Sequence, residues 1–196
     1  MSEETYIGQT DPFYAECRAY GCIEENQQNG LVAVRCYGHM SIPAEREDEL
    51  ADPPFRTDKW NRPKKEYDQP KHERQPFRAI VKELVRCRKR LSRVAQMRKD
   101  LLALHKIGVY VQDIRQENYI NGKLVDFSKS WTTPHALLDP KIRSQNLIDA
   151  EIRGDLLDFE RMMEEAGIRT RSKAYVEPNK LGRLRAQVRK PDRYGF

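Results

Sequence analysis

Two aspartates and an asparagine near the middle of the chain have the residue types and spacing of a metal-dependent phosphoryl-transfer site. In VYVQDIRQENYINGKLVDFS, residues 109–128, Asn118 follows Asp113 by five positions and Asp126 closes a short hairpin. Phosphoryl transfer needs metal ions on the phosphates, an acceptor for the attacking hydroxyl and rigid positioning, and Mg²⁺ prefers oxygen ligands. Asp113 is therefore predicted to orient or accept the hydroxyl proton, and Asn118 and Asp126 to bind metal.

The flanking sequence contains elements that would hold these three side chains in place. Residues 109–111 have strand character, and Asn121-Gly122 between short apolar runs is a strong signal for a two-residue hairpin. Upstream, residues 92–105 place apolar side chains at three- and four-residue steps, which predicts an amphipathic helix that ends at Gly108. A helix, a loop and a hairpin therefore carry the predicted site.

The N-terminal part is predicted to add one helix and short strands. Asp11 and Pro12 suit a helix start, because Asp accepts bonds from first-turn N–H groups and Pro fits the first helical position. Gly21 is the predicted end of this helix. Residues 31–37 and 40–42 are strand-like.

The rest of the chain alternates ordered and irregular segments. Residues 77–81 predict a strand, and residues 142–166 predict a helix with one apolar face, to which Leu147 belongs. Residues 43–76 hold six of the eleven prolines with eight basic and nine acidic residues, which is typical of a mobile insertion. Phe55 and Trp60 are the side chains of this insertion that could dock on the core.

Positive charge is concentrated in two places. The net charge is +6, and residues 169–196 contribute +7 from nine Lys/Arg and two Asp/Glu, so the remaining residues sum to -1. This basic tail is a candidate for weak, salt-sensitive nucleic-acid contact or for a docking peptide. Residues 86–99 hold seven bases and no acid. Such a run is typical of a solvated helix face, and a surface for phosphate or an acidic partner is the alternative.

Composition excludes an integral membrane protein and a secreted disulfide scaffold. Charged residues make up 34% of the chain, and no apolar run approaches the roughly 18 residues that span a bilayer. The first residues have no signal-peptide pattern. The four cysteines fall in no CxxC pair, which predicts free thiols rather than a zinc site. An intracellular protein is expected.

The central motif and its surroundings resemble the protein-kinase superfamily. That family's catalytic loop has His-Arg-Asp, then an Asn five residues after the Asp, then Asp-Phe-Gly. This chain has Val111-Gln112-Asp113, then Asn118, then Asp126-Phe127-Ser128. LLALHKIGVYVQD resembles the long helix before this loop, FRAIVKELV the strand and hinge between the two lobes, and DPFYAECRAYG the N-lobe helix.

The resemblance is most specific to a fungal kinase-like family typified by an inner-kinetochore Fta subunit, and it covers about residues 11–135. It implies an α+β fold: a truncated protein-kinase-like fold with a mainly helical C-lobe, a remnant N-lobe helix and short antiparallel strands. The implied division is a remnant N-lobe in residues 1–42, the insertion in 43–76, the hinge and C-lobe in 77–168, and the basic tail in 169–196.

The resemblance also implies roles for individual residues. Asp113 would be the catalytic residue, and Asn118 and Asp126 would be metal ligands, with ATP and Mg²⁺ as the possible cofactors. Phe127 and Ser128 complete the second motif. Glu16 would be the N-lobe helix glutamate that pairs with a strand lysine beside the nucleotide.

Departures from the kinase pattern concern the groups that position the nucleotide. Val111 and Gln112 replace the His and Arg of the catalytic loop, and Ser128 replaces the glycine after Asp-Phe. The Gly-rich loop and the strand lysine should precede the Glu16 helix, but only ten residues precede Asp11, and none is a lysine. Glu16 is therefore predicted to have no lysine partner. The truncation belongs either to the protein itself or to an incomplete gene model.

These departures favour a non-catalytic kinase-like protein that acts as an interaction module in a nuclear assembly. Kinetochore association is what the family resemblance implies. Protein partners are expected, since loss of the N-lobe strands would expose an apolar patch near Phe13 and Tyr20. The alternative is an atypical ATP- and Mg²⁺-dependent protein kinase that uses Asp113, Asn118 and Asp126.

Overall fold

The computed structural model describes most of the chain between the N-terminal residues and the basic tail. The described residues are 8–46, 49, 66, 68–86, 91 and 93–168. The predictions for Phe55 and Trp60, for most of the insertion and for the tail in residues 169–196 lie outside this part.

The first helix, α1, spans Pro12–Glu25 and begins where the sequence predicts. Asp11 Oδ1 accepts bonds from two first-turn N–H groups, at 2.9 and 3.2 Å. The predicted end at Gly21 is wrong, because the helix continues for another turn. A glycine inside a helix is unfavourable by only about 1 kcal/mol relative to alanine. Burial of Ile23 in that last turn offsets this, since Ile23 is completely inaccessible to solvent.

Strands β1 (Cys36–Ile42) and β2 (Phe77–Lys82) form an antiparallel two-stranded sheet beside α1. The predicted strand at 40–42 is confirmed as the second half of β1. The predicted strand at 31–37 is wrong for residues 31–35, since the pairing begins at Cys36 and one continuous strand runs from there. Val34 is buried and donates its N–H to the carbonyl of Leu124 at 2.9 Å. Residues 32–34 therefore belong to the core beneath the hairpin rather than to the sheet.

The predicted helix, strand and hairpin around the central motif are confirmed. Helix α2 spans Val94–Lys106, and Gly108 follows it with a φ of 80°. The short strands after it pair as β3 (Val109–Tyr110) with β6 (Trp131–Thr132), and β4 (Tyr119–Ile120) with β5 (Lys123–Leu124). Asn121 and Gly122 both have positive φ, as a tight hairpin turn requires.

The last described helix, α3, spans Gln145–Glu165, within the predicted range. Its buried face includes Ile148, Phe159 and Met163, whereas Leu147 is 54% exposed, against the prediction that it joins this face. The fold is therefore a small α+β arrangement, as predicted. One core joins α1, α2, the hairpin and α3, with the following side chains at its centre: Ile23, Met97, Leu101, Leu104, Val109, Phe127, Phe159 and Met163.

The structure also bears on the cysteines and on a membrane span. Cys17, Cys22 and Cys36 are free thiols, as predicted. Within the described ranges, no helix is both long and apolar enough to cross a membrane.

Candidate functional site

The loop between β3 and β4 brings Asp113 and Asn118 into direct contact. The Asn118 side chain is buried, and its Nδ2 donates to the backbone carbonyl of Asp113 at 2.9 Å. The N–H of Val125 donates to the backbone carbonyl of Asn118 at 3.0 Å. Because Asp126 follows Val125, the hairpin places Asp126 close to Asn118, which in turn contacts Asp113.

The Asp113 carboxylate lies between two cations that the sequence analysis did not single out. Its Oδ2 lies 3.0 Å from Arg115 and 3.4 Å from Lys129. Arg115 is the second residue after Asp113 and Lys129 the third after Asp126, so each cation flanks one of the two motifs. A cation two or three residues after each motif aspartate was the sequence signal that could have predicted these two ion pairs.

Asp126, Phe127 and Ser128 form a compact turn after the hairpin. Asp126 Oδ1 accepts a bond from the N–H of Ser128 at 2.8 Å. Phe127 is completely buried, and its ring meets that of Tyr20 edge to face with centroids 5.1 Å apart. Tyr20 lies on α1, so the turn is anchored to the N-terminal helix.

Glu16 has a lysine partner, which corrects the prediction that it has none. Lys82, at the end of β2, forms an ion pair with Glu16 Oε1 and donates to the carbonyl of Val125 at 2.6 Å. The same Glu16 oxygen accepts the N–H of Phe127 at 3.3 Å. The prediction considered only lysines before α1, whereas Lys82 lies 66 residues after Glu16.

The position of Lys82 could have been read from strand alternation. Arg78, Ile80 and Lys82 share one face of β2, and Arg78 on that face contacts α1 through Asp11 at 2.9 Å. Because Lys82 lies on the same face of β2 as Arg78, it was a candidate for the lysine partner of Glu16 on α1.

Burial of Glu16 controls its titration. Removal from water raises the pKa of this carboxyl, and the nearby Asp126 carboxylate adds to the rise. The ammonium of Lys82 and the Phe127 N–H act in the opposite direction. The ion pair therefore compensates only part of the desolvation of a carboxylate whose side chain is 11% exposed.

Asp155 is the residue that holds the start of the loop, and the sequence analysis missed it. Its side chain is 1% exposed, and its two oxygens accept the N–H groups of Val111 and Gln112, both at 2.7 Å. His105 Nε2 lies 2.9 Å from the same carboxylate. Gln112 has a φ of 60°, a conformation that this pair of bonds helps to stabilise.

A signal for Asp155 was present in the periodicity of α3. The buried positions Ile148, Asp155 and Phe159 are separated by seven and four residues, so Asp155 lies on the apolar face of the helix. A lone acid on an apolar helix face must find hydrogen-bond donors, because an unpaired buried carboxylate is strongly unfavourable.

The oxygens near the loop match the preferences of Mg²⁺ in type. Among the described residues, Asp126 Oδ2 and Asn118 Oδ1 have no hydrogen-bond partner. Carboxylate and amide oxygens are suitable Mg²⁺ ligands, and this ion keeps several waters. The part of the chain that the structure describes contains no group of three or more His, Cys, Asp or Glu side chains placed to hold a metal ion.

Comparison with known proteins gives one family. The family model described as kinetochore Sim4 complex subunit FTA2 matches residues 1–131, which is two thirds of the 196 residues. The matched range includes α1, the sheet, α2 and the hairpin with Asp126, and it ends before α3. No curated protein and no solved structure matches the chain. Since the family model covers more than half of the sequence, the chain belongs to the kinetochore Sim4 complex subunit FTA2 family.

Proposed function

We propose that this protein is a non-catalytic, kinase-like interaction module of a nuclear kinetochore assembly. The observation that carries the kinetochore role is the family match over residues 1–131. A subunit of a kinetochore complex has protein partners and works in the nucleus. The four-part division of the chain and the weak nucleic-acid contact by its basic tail stay predictions.

The order of the elements supports descent from a kinase-like fold. A helix with a buried glutamate precedes a small sheet, a long helix follows, and then come the Asp113–Asn118 loop and the Asp126-Phe127 turn. The Lys82–Glu16 ion pair beside that turn is the arrangement such a fold would keep. These features agree in order with the resemblance seen in the sequence.

The non-catalytic part of the proposal rests on the loop residues and on Lys82. Val111 and Gln112 stand where the kinase motif has His and Arg, and Ser128 stands where it has Gly. The Lys82 ammonium already contacts the Glu16 carboxylate and the Val125 carbonyl. In this role the buried ion pair joins α1 to the hairpin.

An atypical protein kinase is the second candidate, and the Lys82–Glu16 pair is the observation that favours it. In that case Mg²⁺ would neutralise the charge of the nucleotide phosphates. Asn118 and Asp126 would hold the ion through their unpaired oxygens, and Asp113 would accept the proton of the attacking hydroxyl. Lys82 would have to exchange the Val125 carbonyl for a phosphate oxygen.

The kinetochore role is tested in cells that carry a fluorescent version of the protein. The wild type and an Asp113→Asn/Asp126→Asn variant should both co-localise with a centromere marker, and the variant should support normal chromosome segregation. A wild-type protein that is absent from centromeres would overturn the kinetochore role.

The choice between module and kinase is tested by calorimetric titration of Mg-ATP into wild type and Asp126→Ala, both checked for folding by circular dichroism. We expect no binding to either protein. Magnesium-dependent binding that Asp126→Ala loses, with phosphotransfer that Asp113→Ala abolishes, would establish the kinase instead.

A further inference from the structure

A concave surface whose lining includes none of Asp113, Asn118 and Asp126 combines positive charge with an exposed aliphatic side chain. It is a groove of about 560 Å³ between the turn after α1, helix α2 and the β4–β5 hairpin. Arg93, which immediately precedes α2, Lys99 of α2 and Lys123 of the hairpin line it. We call this surface the basic groove.

The cations of the basic groove are mostly available to a ligand. Arg93 and Lys99 are exposed, and among the described residues no ion pair is formed by either of them. Lys123 uses one of its three N–H donors on the carbonyl of Gly30, at 2.7 Å. With Asp100 as the one lining carboxylate, the formal charge of the lining is +2, from three cations and one anion.

Asp100 does not neutralise the groove fully. It is 7% exposed and accepts a bond from Gln96 Nε2 at 2.7 Å. Burial raises the pKa of its carboxyl, while Arg93 and Lys123 act to lower it. Both cations therefore act on the buried Asp100 carboxylate while they line the open groove.

The basic groove also gives a role to part of the basic run in residues 86–99, which the kinetochore role does not explain. Residues 86–99 hold seven bases and no acid. Two of them, Arg93 and Lys99, line the groove, and Lys123 joins them from a distant part of the sequence. For Arg93 and Lys99 the run is therefore more than a solvated helix face, because the fold places these two charges in a concavity.

The groove has an apolar side as well. Leu31 at its edge is 63% exposed, and Val32 and Ala103 contribute further aliphatic lining. Isolated exposed aliphatic residues are common, but one beside three cations in a groove suits a ligand that carries both carboxylates and aliphatic groups.

We infer that the basic groove binds an acidic segment of a partner protein, one in which Asp or Glu residues alternate with aliphatic residues. The carboxylates would pair with Arg93, Lys99 and Lys123, and an aliphatic side chain would pack on Leu31. The side-chain amides of Gln28 and Gln96, which also line the groove, can pair with the backbone of an extended segment.

A nucleic acid fits this surface less well. Duplex recognition relies on cations spread along a surface that follows the phosphate backbone, whereas these cations lie within one concavity. The exposed aliphatic side chain of Leu31 has no favourable contact to make with a phosphate, whereas it can pack against an aliphatic side chain of a peptide. The inference rests on the interaction role proposed above, since it names a class of partner for a subunit of that assembly.

The test measures the fluorescence anisotropy of a short labelled peptide of Asp and Glu with interspersed leucines. The full-length protein should bind it, and binding should weaken as salt rises. Arg93→Glu/Lys99→Glu should lower the affinity at least about tenfold. Leu31→Ser should also weaken peptide binding, and Arg153→Glu, a charge reversal on the exposed side of α3, should leave it unchanged.

Two further probes decide between ligand classes. A peptide with Asn and Gln in place of the acids should not bind, and a labelled DNA duplex should bind more weakly than the acidic peptide. The inference is overturned if the acidic peptide does not bind, or if Arg153→Glu weakens peptide binding as much as Arg93→Glu/Lys99→Glu does. It is also overturned if the duplex binds more tightly than the acidic peptide, and if this duplex binding is abolished by Arg93→Glu/Lys99→Glu but not by Leu31→Ser. The single reversals decide if the double variant fails to fold.

The same variants separate this inference from the kinetochore role. A protein that reaches centromeres but ignores the acidic peptide refutes only the ligand of the groove. A protein that never reaches centromeres refutes the role, whatever the peptide does.

Discussion

Asp155 is the residue on which the start of the central loop depends most. A single buried carboxylate accepts two backbone N–H groups and contacts His105, so three polar groups would lose their partner together. Gln112 is one of these partners and has left-handed backbone geometry. The carboxylate thus fixes both the hydrogen bonds and the backbone conformation just before Asp113.

Asp155→Ala should lower the free energy of unfolding by about 3 kcal/mol, because it leaves a buried and a half-buried N–H group unpaired. Urea denaturation followed by circular dichroism measures this. The matched control is Asp149→Ala on the same helix, whose bond to Gln145 is solvent-exposed and whose loss should be unfavourable by at most about 0.5 kcal/mol. Equal effects in the two variants would contradict this role of Asp155.

His135 should make the protein less stable in mild acid. It is 5% exposed, and burial, with a contribution from Arg18, lowers the pKa of its imidazole from 6.5. The folded state therefore binds the proton less readily than the unfolded state. The stability that the neutral ring contributes is complete above 6.5 and is lost as the pH falls from there through the lowered folded pKa.

Urea melts at about pH 7.5 and 5.5 test this expectation. The drop in unfolding free energy between the two pH values should be smaller in His135→Gln than in wild type. The control is His72→Gln, because the His72 side chain is 73% exposed and should leave the drop unchanged. An identical drop in all three proteins would show that His135 does not contribute.

At the scale of elements, the Lys82–Glu16 pair joins β2, α1 and the hairpin. Lys82→Met leaves a buried carboxylate without its cation and should lower the unfolding free energy by about 2 kcal/mol. Glu16→Gln should also destabilise. The double variant should be less destabilised than the sum of the two, by at least about 1 kcal/mol, and strict additivity in this cycle would mean that the pair is not coupled.

Two glycines next to or inside helices should respond oppositely to the same substitution. Gly108 after α2 has a φ of 80°, and a Cβ there would lie 3.0 Å from Thr133 side-chain atoms. Gly108→Ala should therefore destabilise by about 1 kcal/mol or more. Gly154 inside α3 has no atom within 4 Å of a Cβ, so Gly154→Ala should stabilise by about 0.5–1 kcal/mol. Thermal melts compare the two, and shifts of the same sign would contradict this account.

For the whole molecule, features with local causes were predictable from sequence and features with distant causes were not. The start of α1 at Asp11, the end of α2 at Gly108 and the Asn121-Gly122 hairpin each depend on residues a few positions apart. The end of α1 and the start of β1 depend on burial of Ile23 and Val34 in the shared core, which overrode the local glycine and strand signals.

The residues of the candidate site also fall into a group that was predictable from local sequence and a group that was not. The loop sequence places Asp113, Asn118 and Asp126 together because one hairpin connects them. Lys82 and Asp155 act across 66 and 44 residues, and only strand alternation and helix periodicity pointed to them. Local pattern therefore predicts the members of the loop, whereas packing determines which side chains support it.

The bond between Glu16 and the Phe127 N–H also has a consequence for synthesis of the protein. The two residues are 111 positions apart, so a ribosome making about 5–20 residues per second releases α1 roughly 6–20 s before its partner exists. During that interval Glu16, Tyr20 and Ile23 have no hairpin to pack against. The nascent helix would then be a substrate for chaperones, and the protein would complete its fold only after the Asp126-Phe127 turn has left the exit tunnel.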